Sequence, residues 1–202
     1  MAISEDILQE FQKIGGALFL SGLNNSHSGN ISMRVGRKMF ITRRGSMLGY
    51  LTDEDIIEVD LYEIDSNLTI SSTESNVHKR IYLETEALAI VHAHVVAATA
   101  LSIVRDEIIP IDVEGGYYVH KCPVIAFEFA SGSKEMEETL PKYLKNYKVV
   151  MVKGHGAFAV GETLEEALFY IHSLENSARI ILNVASMGID PRKYEKDYYS
   201  KW

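Results

Sequence analysis

Apolar residues recur along this chain at two spacings, and the change from one spacing to the other outlines the elements. Ile7, Leu8, Phe11, Ile14 and Leu18 fall at helical intervals, so residues 4–22 are expected to form an amphipathic helix. Ser4 is its candidate N-cap, and Gly22, Asn24 and Asn25 stop it. A polar loop follows over 24–29. Ile31, Met33 and Val35 then alternate with polar partners, which predicts a half-buried strand, paired through a tight connection at Gly36 with a second strand over 37–42. After a loop over 43–54 a third strand is expected over 56–61. Ser71, Ser72 and Thr73 precede a helix carrying Val77, Ile81 and Leu83, and residues 88–95 are apolar and β-branched enough to be a strand.

A short helix near 96–104 comes next. Pro110 opens a stretch read as irregular, with a strand at either 117–121 or 124–127. A helix over 133–146, interrupted at Pro141, leads to strands at 149–153 and 157–160. Thr163 and Glu166 are read as a capping box, and Ala167, Leu168, Ile171, Leu174, Ala178, Ile181 and Ala185 give the longest helix, ended by Gly188 and Pro191. Short strand-to-strand loops point to an α/β fold: a single domain over 1–202, a central, largely antiparallel sheet flanked by helical layers, with 190–202 as a C-terminal tail. That tail carries Tyr194, Tyr198, Tyr199 and Trp202.

Composition narrows the class of protein. A chain of 202 residues, 47% hydrophobic and 24% charged, suits one globular domain with a sizeable core. A net charge of −8 argues against a nucleic-acid partner but leaves room for a local basic site that takes an anion. Cys122 is the one cysteine, so no intramolecular disulfide can form; it is read as a buried structural thiol in a reducing compartment. Glu5, Asp6 and Glu10 stand where a secretory signal would carry basic residues, and no apolar run approaches the roughly 18 residues that span a bilayer. The expectation is a cytoplasmic protein without a membrane partner.

Candidate chemistry centres on histidine. His92 and His94 in VHAHVV are two residues apart, a spacing that puts both imidazoles on one face of a strand. His155, in KGHGAF, ends another apolar run. If the fold brings these together, three neutral imidazoles converge, the ligand count of a catalytic zinc site with a position left open. Glu74 precedes His92 by about one helix length. The intervening helix can run back along the sheet and bring its N-terminus to the histidines, which makes Glu74 the candidate acid/base.

Three further segments point to an anion. Ser28–Ser32 offers backbone N–H groups around Gly29 and the Asn30 amide; Arg43, Arg44 and Gly45 combine charge with close backbone approach; Ser71 and Ser72 open a helix. Taken singly, these read equally well as a turn, two solvated arginines and an N-cap. Together they point to one small anionic ligand beside a metal. His27, His78, His120 and His172 have no second candidate ligand at useful sequence spacing, and His78 and His172 are read as structural or surface residues.

The order SGNIS, ITRRG, SSTE, HAH and GHG, followed by a capped helix, resembles the class II aldolase/adducin family over nearly the whole chain. That family includes zinc-dependent L-fuculose-1-phosphate and L-rhamnulose-1-phosphate aldolases and L-ribulose-5-phosphate 4-epimerase, and the pattern is nearest the first. The resemblance implies a homotetramer with sites at subunit interfaces. It implies that His92, His94 and His155 hold Zn²⁺ or another divalent metal, that Glu74 moves a proton, and that Asn30, Gly45, Ser71 and Ser72 bind a sugar phosphate. The implied reaction is cleavage of a ketose 1-phosphate to dihydroxyacetone phosphate and an aldehyde through an enediolate. Two positions depart from the pattern. Arg44 stands where a phosphate-binding threonine is usual, and Glu114 where a tyrosine acid is usual, with Tyr117 or Tyr118 as substitutes. These departures keep open an epimerase, dehydratase or decarboxylase on the same metal site. A non-catalytic adducin-like scaffold would lack the three histidines.

Overall fold

A computed structural model describes residues 3–195. It has eight strands: β1 (Asn30–Val35), β2 (Lys38–Thr42), β3 (Ile56–Asp60), β4 (Ala89–Ala93), β5 (Glu107–Ile108), β6 (Cys122–Ile125), β7 (Val149–Val152) and β8 (Gly156–Gly161). They lie in the order β3-β2-β1-β4-β8-β7-β6-β5, and every pairing is antiparallel except β6 with β7. The six helices are α1 (Glu5–Leu20), α2 (Ser75–Glu84), α3 (Val96–Val104), α4 (Val113–Tyr118), α5 (Lys134–Leu144) and α6 (Leu164–Ser186).

Strand alternation sorts the core into two layers. Ile31, Phe40, Val91, Met151 and Ala159 face α1, α3 and α6, where Phe11, Ile14, Leu18, Leu101, Ile171 and Leu174 are buried against them. Met39, Ile41, Ile90, Val150 and Phe158 face the opposite way, toward Val77 and Ile81 of α2 and Met136 and Leu140 of α5. The sheet is therefore covered on both sides, and the strands read as near-continuous apolar runs where they are central.

Several expectations need correction. The stretch after Pro110 forms α4 and not a strand at 117–121: Asp112 caps it by accepting the Gly115 N–H at 2.8 Å, and glycine at 115 lets α4 lie directly against Ser177 of α6. The strand falls at Cys122–Ile125. Pro141 does not interrupt α5, which runs on to Leu144, because it removes a single hydrogen bond while Met136, Leu140 and Leu144 are buried on one face. The capping box is half made. Thr163 accepts the Glu166 N–H at 3.1 Å, but the Glu166 carboxylate takes the N–H of Glu162 instead of that of Thr163. In the tail, Pro191–Tyr194 forms a short 3₁₀ turn, whereas Tyr198, Tyr199 and Trp202 lie outside the described residues. No helix among the described residues is long and apolar enough to cross a membrane.

Candidate metal centre and acid–base site

The sheet register assembles the centre. Asn30, the first residue of β1, pairs with His92 on β4, and His92 pairs on its other side with Phe158 of β8. All three point to the α2 side, and the His92 ring stacks on Phe158 with centroids 4.1 Å apart. His94 is not itself in the strand, which ends at Ala93; it continues the same face one residue further on. His155 comes from the tight turn between β7 and β8, where its N–H is held by the Val152 carbonyl at 3.0 Å. The following glycine has a steric reason: a Cβ at Gly156 would lie 2.6 Å from the Ala93 oxygen and 2.9 Å from the His92 ring. Gly29 is needed for the same cause, since a Cβ there would sit 2.5 Å from the His92 carbonyl oxygen.

The three imidazoles form a nearly equilateral cluster, with centroid separations of 4.9, 4.8 and 4.7 Å. One ligand nitrogen from each lies within 4.8 Å of the others, the one group of this kind among the described residues. His92 Nδ1 lies 3.0 Å from the Ala157 carbonyl, which can only accept, so Nδ1 carries the proton and Nε2 presents its lone pair. That Nε2 is 3.1 Å from His94 Nε2 and 3.3 Å from Glu74 Oε2.

A tetrahedral zinc with bonds of about 2.0–2.1 Å has ligand–ligand edges of about 3.3 Å, so the 3.1 Å from His92 to His94 and the 3.3 Å from His92 to Glu74 are of that order, with His155 within 4.8 Å. Burial, reinforced by the neighbouring imidazoles, holds His92 well below its ordinary pKa and His94 down to about 4; burial also lowers His155, with the Ala130 backbone pulling the other way. All three are therefore neutral at pH 7, and the Glu74–His92 contact is not an ion pair. Neutral imidazoles with lone pairs turned inward are the donor set that a divalent cation requires.

Glu74 occupies the N-cap position of α2 but makes no capping bond with its side chain. Its carboxylate turns inward and accepts the Asn30 amide N–H at 2.8 Å, while its other oxygen, Oε1, is buried without a partner. Burial pushes its pKa up to about 7, against the opposing pull of Asn30. A carboxyl poised near neutrality can both take and give a proton.

The placement of Glu74 continues a polar stripe. Below it on α2, His78 Nδ1 and Tyr82 OH each lie 2.7 Å from the Ser32 hydroxyl, and Arg34 donates to the Tyr82 carbonyl at 2.9 Å. Residues 74, 78 and 82 on the helix thus meet 30, 32 and 34 on β1. Four helix residues advance about 6.0 Å and two strand residues about 6.7 Å, so the rungs stay in step.

A cavity of about 170 Å³ opens over this cluster. It is lined by Asn30, Arg44, Gly45, Ser72, Glu74 and the three histidines, which unites most of the residues proposed from sequence. Ser71 is not in its lining: its hydroxyl is buried, donating to the Leu68 carbonyl and accepting from Ser75. Glu114 and Tyr117 sit exposed on α4 and do not line the cavity of their own chain. The lining also holds Ser28, Gly29, Arg43 and Thr73, which lie inside the motifs read from sequence, and adds His27, Ser46 and Ser131, which that reading did not mark as site residues. Position next to a motif could have flagged His27 and Ser46; no local signal marks Ser131. A larger groove, about 950 Å³, runs beside Met33, Leu168 and Phe169 and contains no comparable cluster.

The three imidazoles could hold a divalent cation beside a carboxyl able to move a proton, and comparison with known proteins supplies the class. The sequence profile of the class II aldolase and adducin N-terminal domain matches residues 9–182. L-fuculose phosphate aldolase of Methanocaldococcus jannaschii is 31% identical over 177 residues, spanning 86% of this chain and 94% of that protein. The Escherichia coli K12 protein of the same name is 31% identical over 171 residues, spanning 82% and 78%. The crystal structure of L-fuculose-1-phosphate aldolase from Thermus thermophilus matches with a TM-score of 0.87 at 35% identity, covering 92% of this chain and 97% of that one. The chain belongs to the class II aldolase and adducin family. Within it, the chain is an enzyme, a class II aldolase.

Proposed function

We propose that this aldolase cleaves a ketose 1-phosphate of the L-fuculose 1-phosphate kind to dihydroxyacetone phosphate and an aldehyde, with zinc as its ion. The observation that carries the reading is the buried Glu74 carboxyl, held 3.3 Å from His92 Nε2 with a pKa near 7. A divalent cation bound by His92, His94 and His155 would polarise the ketose carbonyl and take up the charge that develops on its oxygen.

The chain's own groups divide the remaining work. A base removes the proton from the C4 hydroxyl, the C3–C4 bond breaks, and its electron pair passes toward the adjacent carbonyl as the aldehyde leaves. Glu74 in its protonated form then delivers a proton to C3 and is reset by taking one from water. Asn30 orients the Glu74 carboxyl through their hydrogen bond. Arg44, Gly45 and Ser72, on the rim of the same cavity, are assigned to the phosphate, with Ser71 supporting Ser72 from behind. Glu114 and Tyr117, exposed on α4, are assigned to the hydroxyl proton in the site of an adjoining subunit of a homotetramer. A cytoplasmic location belongs to the same reading.

Arg44 favours keeping a second reaction in view. Its charge at the cavity is suited to a carboxylate as well as a phosphate, which suits an epimerase, dehydratase or decarboxylase on the same centre. The test is a coupled assay for dihydroxyacetone phosphate on fuculose and rhamnulose 1-phosphates with zinc supplied. Release from either supports the aldolase reading. No release from a metal-loaded protein overturns it, and NMR product profiles on pentulose phosphates and sugar acids then identify the alternative.

A further inference from the structure

His94 lies just outside the sheet, because β4 ends at Ala93. The residues just after it give no local support either. Helix α3 begins at Val96, so Val95 stands at the N-cap, where an aliphatic side chain cannot accept a hydrogen bond. The orphan N–H groups of that first turn are taken by a residue 78 positions away in sequence: Glu175, midway along α6, accepts the Ala97 N–H at 3.1 Å and the Ala98 N–H at 3.0 Å. Glu175 is only 2% exposed. Burying a carboxylate is costly, and here the cost is met by two backbone donors at a helix N-terminus and by the Arg179 guanidinium at 3.0 Å. On the other side, the His94 N–H is held by the Asn24 side-chain oxygen at 2.8 Å.

We propose that Glu175 is a positioning residue of the metal centre: by fixing where α3 begins, it fixes the backbone of His94 and the direction of its imidazole. The proposal rests on the metal-centre reading above. It explains why a buried charge occupies the core-facing stripe of α6 between Leu174 and Ala178, where an apolar residue would pack at less cost. Stability alone asks only for a polar residue at position 95; anchoring the turn to the longest helix instead ties His94 to the rigid layer behind the sheet. Asn24 secures the same residue from the loop before β1, so His94 is gripped from both sides of the chain.

The experiment is a Co²⁺ titration of the whole protein, reading both affinity and the visible d–d bands, for wild type, Glu175→Gln and Leu174→Ala. The last variant destabilises the same helix without touching the cap. Expected are wild-type affinity and bands for Leu174→Ala. For Glu175→Gln the dissociation constant should rise roughly 10-fold or more, the usual effect of disturbing a metal ligand's support, with altered bands. A Glu175→Gln protein with wild-type affinity and spectrum overturns the proposal while leaving the metal centre standing. A wild-type protein that takes up no cobalt removes the centre and the proposal with it. Should Glu175→Gln fail to fold, Glu175→Asp, which keeps the charge but is too short to reach both amides, is titrated against the same criteria. Loss of fold in both variants assigns Glu175 to the core alone and overturns the proposal.

Discussion

The two faces of the sheet are packed by different rules. Against α1, α3 and α6 the strands present aliphatic and aromatic side chains, and the helices answer in kind, with Phe11, Ile14, Leu18, Ile171 and Leu174 buried in one layer. Against α2 the same strands present Asn30, Ser32 and His92, and the helix answers with Glu74, His78 and Tyr82. Apolar contacts are non-directional, so apart from the Glu175 bonds that join α3 to α6 the first face owes its register to packing alone. Hydrogen bonds are directional, so the second face fixes α2 along β1, and with it the Glu74 carboxyl that reaches His92. Both layers hold the domain together, and the α2 layer in addition aims the Glu74 carboxyl.

Glu74→Gln tests the aiming face and should have the largest effect. It keeps size and removes the proton carrier, so turnover should fall roughly 10²–10⁴-fold while the three imidazoles still hold metal. Stability of the metal-free protein should not suffer. The Glu74 carboxyl has its folded pKa raised from 4.5 to about 7, so it favours folding below pH 4.5 and that contribution is lost as pH rises through 7; the neutral amide removes the loss. Turnover assays, metal analysis and melts at pH 6 and 8 check each part. Near-normal turnover removes Glu74 from the mechanism.

Leu174→Ala tests the other face. Deleting a fully buried leucine should cost about 2–5 kcal/mol in urea unfolding, with kcat per folded molecule unchanged. A comparable fall in kcat would show that the two faces are not separable.

The smallest effect belongs to His78, which lies on the aiming face yet outside the proposed chemistry. Burial lowers its pKa from 6.5 to about 3. The unfolded chain therefore gains a proton below pH 6.5 that the native state refuses, and stability falls as pH drops from 6.5 toward 3. One such group contributes at most about 1.4 kcal/mol per pH unit. Urea midpoints at pH 7, 6 and 5 should fall more steeply for wild type than for His78→Gln; parallel slopes would mean that His78 is protonated in the native state.

Much of this arrangement was legible in the sequence, for local reasons. His92 and His94 announce themselves by strand spacing, His155 by the glycines on either side, and Glu74 by its distance from His92. The long helices and β1 to β4 follow from clear apolar periods. What escaped had no local signal. Helix α4 spans six residues, two of them glycine, and shows no 3.6-residue period. Strand β5 has two residues. Asn24 reads as the end of a helix, and only the fold shows its oxygen on the His94 N–H. Glu175 reads as one more polar residue on a long helix until α3 is placed beside it. Ser71 looks like a ligand from its neighbours in sequence, but its hydroxyl is drawn into the turn at Leu68.

The centre draws Asn30, Glu74, His92 and His155 from four separate stretches, joined through the pairings β1 with β4 and β4 with β8. No short contiguous fragment holds more than two of the three imidazoles, and a slip of one residue in β4 would turn His92 to the opposite face. A metal held by this cluster would therefore be captured late, only by chains that have already closed the middle of the sheet in correct register. Long-range pairings of this sort are slow to form, so an ion held here would not nucleate the fold as one does in a small zinc domain. Bound at the end, it would act as a ratchet that favours finished molecules.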